Sequence, residues 1–241
     1  MHNMKKVILV MMLGFVGLEA WAQTFIVNDA NAEVRKIGSF SAINVSSAID
    51  LYISQSEEEA LAVSAKDLES RSRIKAEVNN GVLKIWFDGQ NWNWNGGDKK
   101  LKAYVSLKSI TSLRASGASD IRVSGKLTLE TLKLNLEGAS DFKGELALND
   151  LDIHLSGASD ASVKGTATNL SVNVHGASEL KGYDLITETC NATASGASSV
   201  KIMVNRELTV KASGASDVYY TGTGVIKDVK SSGASNVSKK G

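Results

Sequence analysis

The stretch Leu151-Asp152-Ile153-His154-Leu155-Ser156-Gly157-Ala158-Ser159-Asp160 contains the unit that repeats through the second half of this chain. An alternating segment leads into a Gly-Ala-Ser-Asp tetrapeptide, which returns with small variants about every 19 residues. A fixed period of this length is the signature of a stacked, repetitive fold. The seven tetrapeptide glycines, called the corner glycines below, are Gly117, Gly138, Gly157, Gly176, Gly196, Gly214 and Gly233, at successive spacings of 21, 19, 19, 20, 18 and 19 residues.

The residues on both sides of each tetrapeptide alternate between apolar and polar. Residues 132–136, Leu-Lys-Leu-Asn-Leu, precede Gly138, and a shorter apolar stretch such as Ile121 and Val123 follows each copy. A period of two predicts strands with one buried face, whereas a helix would need apolar residues three and four apart. Glycine tolerates positive φ, and Asp closes turns on its own backbone. The tetrapeptide is therefore predicted to form the corner between two strands of one coil.

A parallel β-helix fits the period better than other β folds. A propeller blade needs roughly 40 residues, and an antiparallel meander would reverse alternate copies. A 19-residue coil at ~3.3 Å per residue has a perimeter of roughly 60 Å, which suits a slim solenoid. We therefore predict an all-β, right-handed parallel β-helix with coils of about 19 residues and a less regular N-terminal half. The handedness follows from the preference of parallel crossovers.

Stacking would place equivalent residues of successive coils directly above one another, at ~4.8 Å. The positions four residues before each corner glycine form a predicted internal column, and the Ala after the glycine is expected to suit a crowded corner. Like charges on neighbouring strands are destabilising, so the acidic column at the corners is expected to cap corner amides or point into water. The internal column is Leu113, Leu134, Ile153, Val172, Ala192, Val210 and Val229; the acidic column is Asp120, Asp141, Asp160, Glu179, Ser199, Asp217 and Asn236.

The start of the chain predicts export. Lys5 and Lys6 precede an apolar run over 7–18 and Ala20-Trp21-Ala22, the pattern of a secretory signal peptide over 1–22 that is cleaved near Ala22/Gln23. Removing these residues leaves 25 basic and 25 acidic side chains, a balance that favours neither nucleic acid nor an anionic membrane as partner. We expect no transmembrane segment in the mature chain, which would lie in the periplasm, on the cell surface or in the medium.

Two regions are expected after the signal peptide. Residues 23–108 form an irregular N-terminal β region, and residues 109–241 form the regular Gly-Ala-Ser-Asp β-helix. Within the first region, Ile43-Asn44-Val45 and the run 47–53 resemble a worn copy of the repeat, and Asn79-Asn80-Gly81 predicts a hairpin turn. This region is expected to cap the solenoid, because an end coil needs protection from edge-to-edge pairing.

The segment Gly89–Asp98 carries Trp92 and Trp94 among asparagines and glycines, which predicts a loop or hairpin tip. Two interpretations stay open for the tryptophan pair. The rings could contact a sugar ring or a partner's pocket, or they could pack across strands on the protein's own surface.

The chain resembles a known family. Phe40–Val45 with Ala48–Ile53, the repeated Ser-Gly-Ala-Ser-Asp corners and Ser213–Tyr220 are similar to the putative auto-transporter adhesin "head GIN" domain family, over roughly residues 36–237. Family members usually have a Gly-Asn-Pro-like turn where this chain has Thr221–Gly224. The resemblance implies an exported β-helical protein of Bacteroidetes-like bacteria, with adhesion suggested by the family name and no functional residues to carry across.

No catalytic, cofactor-binding or metal site is predicted. His154 and His175 occupy different columns, whereas a metal site needs three or four converging ligands. Calcium binding along the acidic column stays an open alternative, because the column offers hard oxygen ligands at a regular spacing. The Gly-Gly-x-Gly-x-Asp pattern of calcium-binding β-rolls is absent. The lone Cys190 cannot form an internal disulfide and falls in an inward column, so it is predicted to be a small buried hydrophobe rather than a reactive thiol.

These observations predict an exported, non-enzymatic, adhesin-like binding or structural protein of the bacterial cell envelope. It would contact glycan or cell-surface protein partners along an extended β-helix face, and self-association as a homo-oligomer stays open. The alternative is a carbohydrate-active β-helix enzyme, a polysaccharide lyase or hydrolase. Such sites gather carboxylate pairs in one groove, whereas here the acids are spread one per coil.

Overall fold

Strands that occupy the same place in successive repeats pair in parallel, one coil upon the next. The structure is a computed structural model, and it describes residues 7–8, 26–89 and 100–240. About seven turns stack roughly 19 residues apart. The all-β fold class and the parallel β-helix with coils of about 19 residues are thereby confirmed.

Strands make up most of the described chain, 64%, and the described residues include one single-turn helix. The elements are β1 (Val7–Ile8), β2 (Ile26–Val27), β3 (Glu33–Arg35), β4 (Ala42–Val45), β5 (Asp50–Gln55), β6 (Ala60–Ser64), α1 (Leu68–Ser72), β7 (Ile74–Asn79), β8 (Val82–Phe87), β9 (Lys102–Leu107), β10 (Ser112–Ala115), β11 (Ile121–Thr128), β12 (Thr131–Leu136), β13 (Asp141–Leu155), β14 (Asp160–Val174), β15 (Glu179–Ala194), β16 (Ser199–Ala212), β17 (Asp217–Thr221), β18 (Val225–Ser231) and β19 (Asn236–Lys239).

Each coil contributes one strand before its corner and one after it. The strands before the corners stack into what we call the leading face: β8, β4, β10, β12, the C-terminal halves of β13 to β16, and β18. The strands after the corners stack into the trailing face: β9, β5, β11, the N-terminal halves of β13 to β16, then β17 and β19.

The predicted internal column is confirmed by the strand register. Leu113 pairs with Leu134, and the pairing continues coil by coil to Val210 and Val229. Every member is buried except Val229, which is 39% exposed in the last described coil. The alternation therefore builds one continuous apolar core between the two faces.

Unequal repeat lengths are absorbed by register shifts, most of them in the trailing face; the last described coil has its shift in the leading-face strand β18, at Lys227. Between Arg122 and Lys126 the register shifts by the two residues that make the first glycine spacing 21 instead of 19. A further shift between Ser162 and Gly165 accommodates the 20-residue spacing. The corners themselves stay aligned because these strands take up the difference.

The corner glycines adopt a left-handed conformation and touch across coils. Their φ values run from 73° to 85°, where residues with a Cβ are strained. At Gly157 an added Cβ would lie 2.5 Å from the carbonyl oxygen of Gly138. The next residue ties the same two corners together, because the amide of Ala158 donates to that oxygen at 2.7 Å.

The small buried residue of the corner is the serine and not the alanine. The alanine side chains after the corner glycines face solvent. Crowding at the corner, which was the expected reason for an alanine here, therefore does not explain their small size. The serines turn inward because the two-residue alternation runs straight through the corner: Ser159 has the same parity as Leu155 and Ala161. The inward serines, which are 0–2% exposed, are Ser119, Ser140, Ser159, Ser178, Ser198 and Ser216.

Each inward serine satisfies backbone groups that the corner leaves unpaired. Ser159 Oγ donates to the carbonyl of Ser156 at 3.1 Å and accepts the amide of Ser140 at 3.3 Å. The amide of Ser159 in turn donates to Ser178 Oγ at 3.1 Å. These hydroxyls form a polar column inside the core, where an unpaired amide would be costly.

The first coils do not stack in chain order. Strand β8 lies outside β4, and β9 lies outside β5, so the outermost coil of the N-terminal end comes later in the sequence than its neighbour. Strand β4 also pairs with β10, which stacks the worn repeat directly on the first regular coil. The proposed boundary at residue 108 stays a prediction.

Antiparallel strands cover the N-terminal end. Strand β7 pairs with β8 across the predicted hairpin turn, where Asn80 and Gly81 both have positive φ. On the other face β6 pairs with β9 and β3 pairs with β6. Helix α1, capped by Asp67, is a single turn that the polar segment before Ile74 does not signal.

We expect Gly157→Ala to lower the free energy of unfolding by about 3 kcal/mol, from left-handed strain plus overlap with the backbone of the coil beneath. Gly125→Ala is the matched control, because Gly125 has φ 80° but nothing within 4 Å of an added Cβ. Gly125→Ala should lower the free energy of unfolding by about 1–2 kcal/mol. Denaturant unfolding measures both, and equal losses would contradict corner-to-corner contact.

We expect Ser159→Ala to lower the free energy of unfolding by about 2 kcal/mol, because it leaves the amide of Ser140 and the carbonyl of Ser156 without their buried partner. Ser162→Ala, on the outer surface of the same coil, should change the free energy of unfolding by less than about 0.5 kcal/mol. The same unfolding experiment tests the pair, and a neutral Ser159→Ala would rule out the bonding role of the serine column.

Candidate functional site

The tryptophan pair lies on a connection that takes the place of a corner. Trp92 and Trp94 fall outside the described residues. The strands on either side are described: Ile85 pairs with Val45, and Lys102 pairs with Asp50. Residues 86–101 therefore join the two strands of the outermost coil where the next coil uses only residues 46–49. The contact role of Trp92 and Trp94 stays a prediction.

A groove of about 570 Å³ runs along the leading face. It crosses six coils, from β10 to β16, roughly 24 Å at ~4.8 Å per coil. Outward side chains on either side of a buried apolar column form its walls, and Thr111 lies at one end. The first wall is Thr131, Asp150, Asn169, Thr189 and Glu207; the second is Lys133, Asp152, Ser171, Asn191 and Thr209; between them lie Leu132, Leu151, Leu170 and Cys190.

The first wall is organised by hydrogen bonds between coils. Asn169 Nδ2 donates to Asp150 Oδ1 at 2.8 Å, and Thr189 Oγ1 donates to Asn169 Oδ1 at 2.8 Å. These bonds fix the side-chain rotamers, so hydroxyl, amide and carboxylate groups are presented at a constant spacing. Such a surface can exchange hydrogen bonds with a polyhydroxylated ligand that lies along the axis.

The second wall mixes charges. Asp152 Oδ2 lies 2.9 Å from His154 Nε2 and 3.8 Å from Lys133 Nζ. His175 is elsewhere: its Nδ1 contacts Ser195 Oγ beside the next corner. The structure thus places each histidine with its own partner and does not bring the two together.

The described residues contain no group of three His, Cys, Asp or Glu side chains that could hold a metal ion. Calcium binding by the acidic column therefore gains no support from the geometry of this part of the chain.

Several carboxylates of the acidic column on the trailing face form ion pairs with a basic column two residues further along. Lys181 Nζ lies 3.2 Å from Asp160 and 3.1 Å from Glu179, and Lys201 also pairs with Glu179. Arg122 does the same for Asp120 at 3.0 Å. The expectation that the carboxylates chiefly cap the corners missed this arrangement, in which serines bond the corner backbone and cations offset the repulsion.

Ionisation along the acidic column depends on which carboxylates have a cation. Burial alone would raise the pKa of Glu179, but hydrogen bonds from Lys201 and Lys181 outweigh it and hold the pKa below its usual value. Burial and the neighbouring charges of Asp120 and Asp160 raise the pKa of Asp141. The column is therefore a mixed surface without a strong field of one sign.

Aromatic rings continue the basic column towards the N-terminal end. The rings of Tyr52 and Tyr104 stack with centroids 5.2 Å apart, and the guanidinium of Arg122 lies 5.8 Å from the Tyr52 centroid. Tyr104 donates its hydroxyl to Asp29 at 2.8 Å, and burial together with this bond raises its pKa. The sequence analysis did not find this cluster. A signal was present, because Tyr52 follows Asp50 by two residues, just as Arg122 follows Asp120, and so falls in the basic column.

Cys190 lies beneath the groove with its thiol in the core. It is 4% exposed, and burial raises its pKa to about 12. The prediction of a small buried hydrophobe is confirmed.

We expect Cys190 to resist alkylation in the folded protein at mildly alkaline pH, because the thiol is both covered and protonated. Labelling should follow unfolding and be complete in denaturant, as mass spectrometry would measure. Rapid labelling of the native protein would contradict the buried position.

No helix among the described residues has the length and apolar character needed to cross a membrane.

The fold is shared with solved structures at low sequence identity. A putative adhesin from Bacteroides fragilis is 17% identical with a TM-score of 0.79, over 87% of this chain and 96% of that one. A putative adhesin from Parabacteroides distasonis is 18% identical with a TM-score of 0.66, over 86% and 96%. A putative lipid binding protein from the same species is 22% identical with a TM-score of 0.63, over 86% and 97%.

The search of curated proteins finds no match. The model of one family does match, over residues 39–224. This span covers most of the chain and includes both the worn first repeat and the regular coils. The chain therefore belongs to the putative auto-transporter adhesin, head GIN domain family.

Proposed function

We propose that this protein is an exported, non-enzymatic, adhesin-like binding protein of the bacterial cell envelope that holds a glycan chain in the groove of the leading face. The observation that carries the proposal is the groove itself, which has a volume of about 570 Å³ and two polar walls in register. Family membership supports the adhesin-like role, and the signal-peptide pattern over 1–22 supports export.

A polysaccharide suits this groove because both are periodic. The walls offer hydroxyl, amide and carboxylate groups once per coil, and the bonds from Asn169 to Asp150 and from Thr189 to Asn169 hold them in place. Pre-organised groups lose little conformational entropy on binding.

Burial of the groove floor favours a glycan over a lipid. Leu132, Leu151 and Leu170 are only 1–3% exposed, so an acyl chain would find little apolar surface there. The name of the lipid-binding neighbour is therefore not extended to this chain. A protein partner with a polar extended segment is the other ligand class that the same walls fit.

Trp92 and Trp94 would add affinity at one end of the ligand. Their connection leaves from the outermost coil at the edge between the two faces, and tryptophan rings stack on sugar rings. We propose them as an auxiliary contact for the same ligand.

A glycan array with the purified protein tests the proposal. Ser171→Arg puts a long side chain into the middle of the groove and should weaken binding by about tenfold or more. Ser162→Arg is the matched control, because it makes the same change on the trailing face of the same strand. A Trp92→Ala/Trp94→Ala variant measures the auxiliary contact.

Loss of binding in Ser171→Arg alone would support the groove. Equal binding by both arginine variants would exclude it, and absence of binding to any surface glycan or cell extract would defeat the adhesive role. Depolymerisation of a bound polysaccharide would instead favour the lyase or hydrolase alternative.

A further inference from the structure

The last described coil is built like the others but is not covered like them. Val229 and Ile226 are each 39% exposed, whereas Val210 and Leu208, which pair with them one coil earlier, are 0% exposed. Val225 is 69% exposed. The outer side of this last described coil thus presents apolar residues with nothing described upon them.

The backbone of this coil is satisfied on one side. Amides of Ser232, Ala234 and Asn236 donate to carbonyls of the preceding coil. Strand β18 pairs only with β16, and β19 only with β17, so the outer edges of β18 and β19 have no strand partner in the part of the chain that the structure describes. The N-terminal end differs, because β3, β6 and β7 cover it.

We propose that this end binds the same end of a second copy of the chain, with β18 pairing antiparallel to β18 of its partner across a two-fold axis at Val229. Antiparallel edge pairing would satisfy the free backbone groups of both copies and bury the exposed valines and isoleucines against one another. The product is a closed dimer with the two solenoids end to end.

The charges of β18 favour this register over three others. Self-pairing centred on Lys227, Asp228 or Lys230 would place that charged residue opposite its own copy, which is destabilising. Centred on Val229, Asp228 lies opposite Lys230 of the partner subunit, and the arrangement is reciprocal. Lys227 is the extra residue at the register shift between β16 and β18, and it is already paired with Glu207 at 2.8 Å.

Strand β19 is compatible with the same axis. Pairing centred on Val237 places Asn236 opposite Ser238, and Lys239 opposite Ser235, so no like charges meet directly. Lys240 lies over its own Tyr219, with the ammonium 4.6 Å from the ring centroid.

A charge-swap experiment tests both dimer and register, with light scattering after size exclusion over a range of protein concentrations. Asp228→Lys and Lys230→Asp each place like charges opposite one another and should weaken dimerisation by about tenfold or more. The double variant restores the complementary pair, so its dimer should recover.

Lys211→Asp is the matched control, because Lys211 precedes Lys230 in the same column, one coil inside the end. It should leave the dimer unchanged, and thermal melts confirm that every variant folds. A protein that stays monomeric at all concentrations, open-ended filaments, or single variants that dimerise normally would overturn the proposal.

Discussion

The fold depends on contact between corners of neighbouring coils. From Gly157 onwards, each corner glycine sits so close to the one beneath that a methyl group would overlap the carbonyl below, and the adjacent amide bonds to that carbonyl. The buried serine completes the arrangement by pairing the amides and carbonyls that a tight turn inside a core would leave open. Because such contacts recur in successive coils, they set the register for both faces, and the apolar columns, the groove and the charged columns all follow from it.

Much of this could be predicted from the sequence, because a repeat fixes which residues are equivalent. The period placed Leu134 above Leu113 and identified Cys190 as a core residue, and the structure agrees. The roles of alanine and serine in the corner were assigned wrongly, since turn residues were judged by size. The alternation, carried through Gly157, would have turned Ser159 inward.

Other features depend on contacts that a period does not encode. The groove forms from side chains on three adjacent columns, and its shape depends on rotamers fixed by bonds such as that from Asn169 to Asp150. The reversed order of the first two coils has no periodic signal either, because β8 and β9 lack a tetrapeptide between them. Neutralisation of the acidic column required two columns to be compared, whereas the sequence reasoning considered the aspartates alone.

The placement of the bulges has a consequence for how such a protein changes over time. Register shifts interrupt the trailing face at several coils, but the leading face keeps uninterrupted pairing from β8 to β16. Small insertions and deletions are thus tolerated on one side while the opposite side retains a single pitch. Duplication or loss of a whole coil would lengthen or shorten the leading face without changing the spacing between its coils. The length of this face can therefore evolve separately from the side chains that each coil presents.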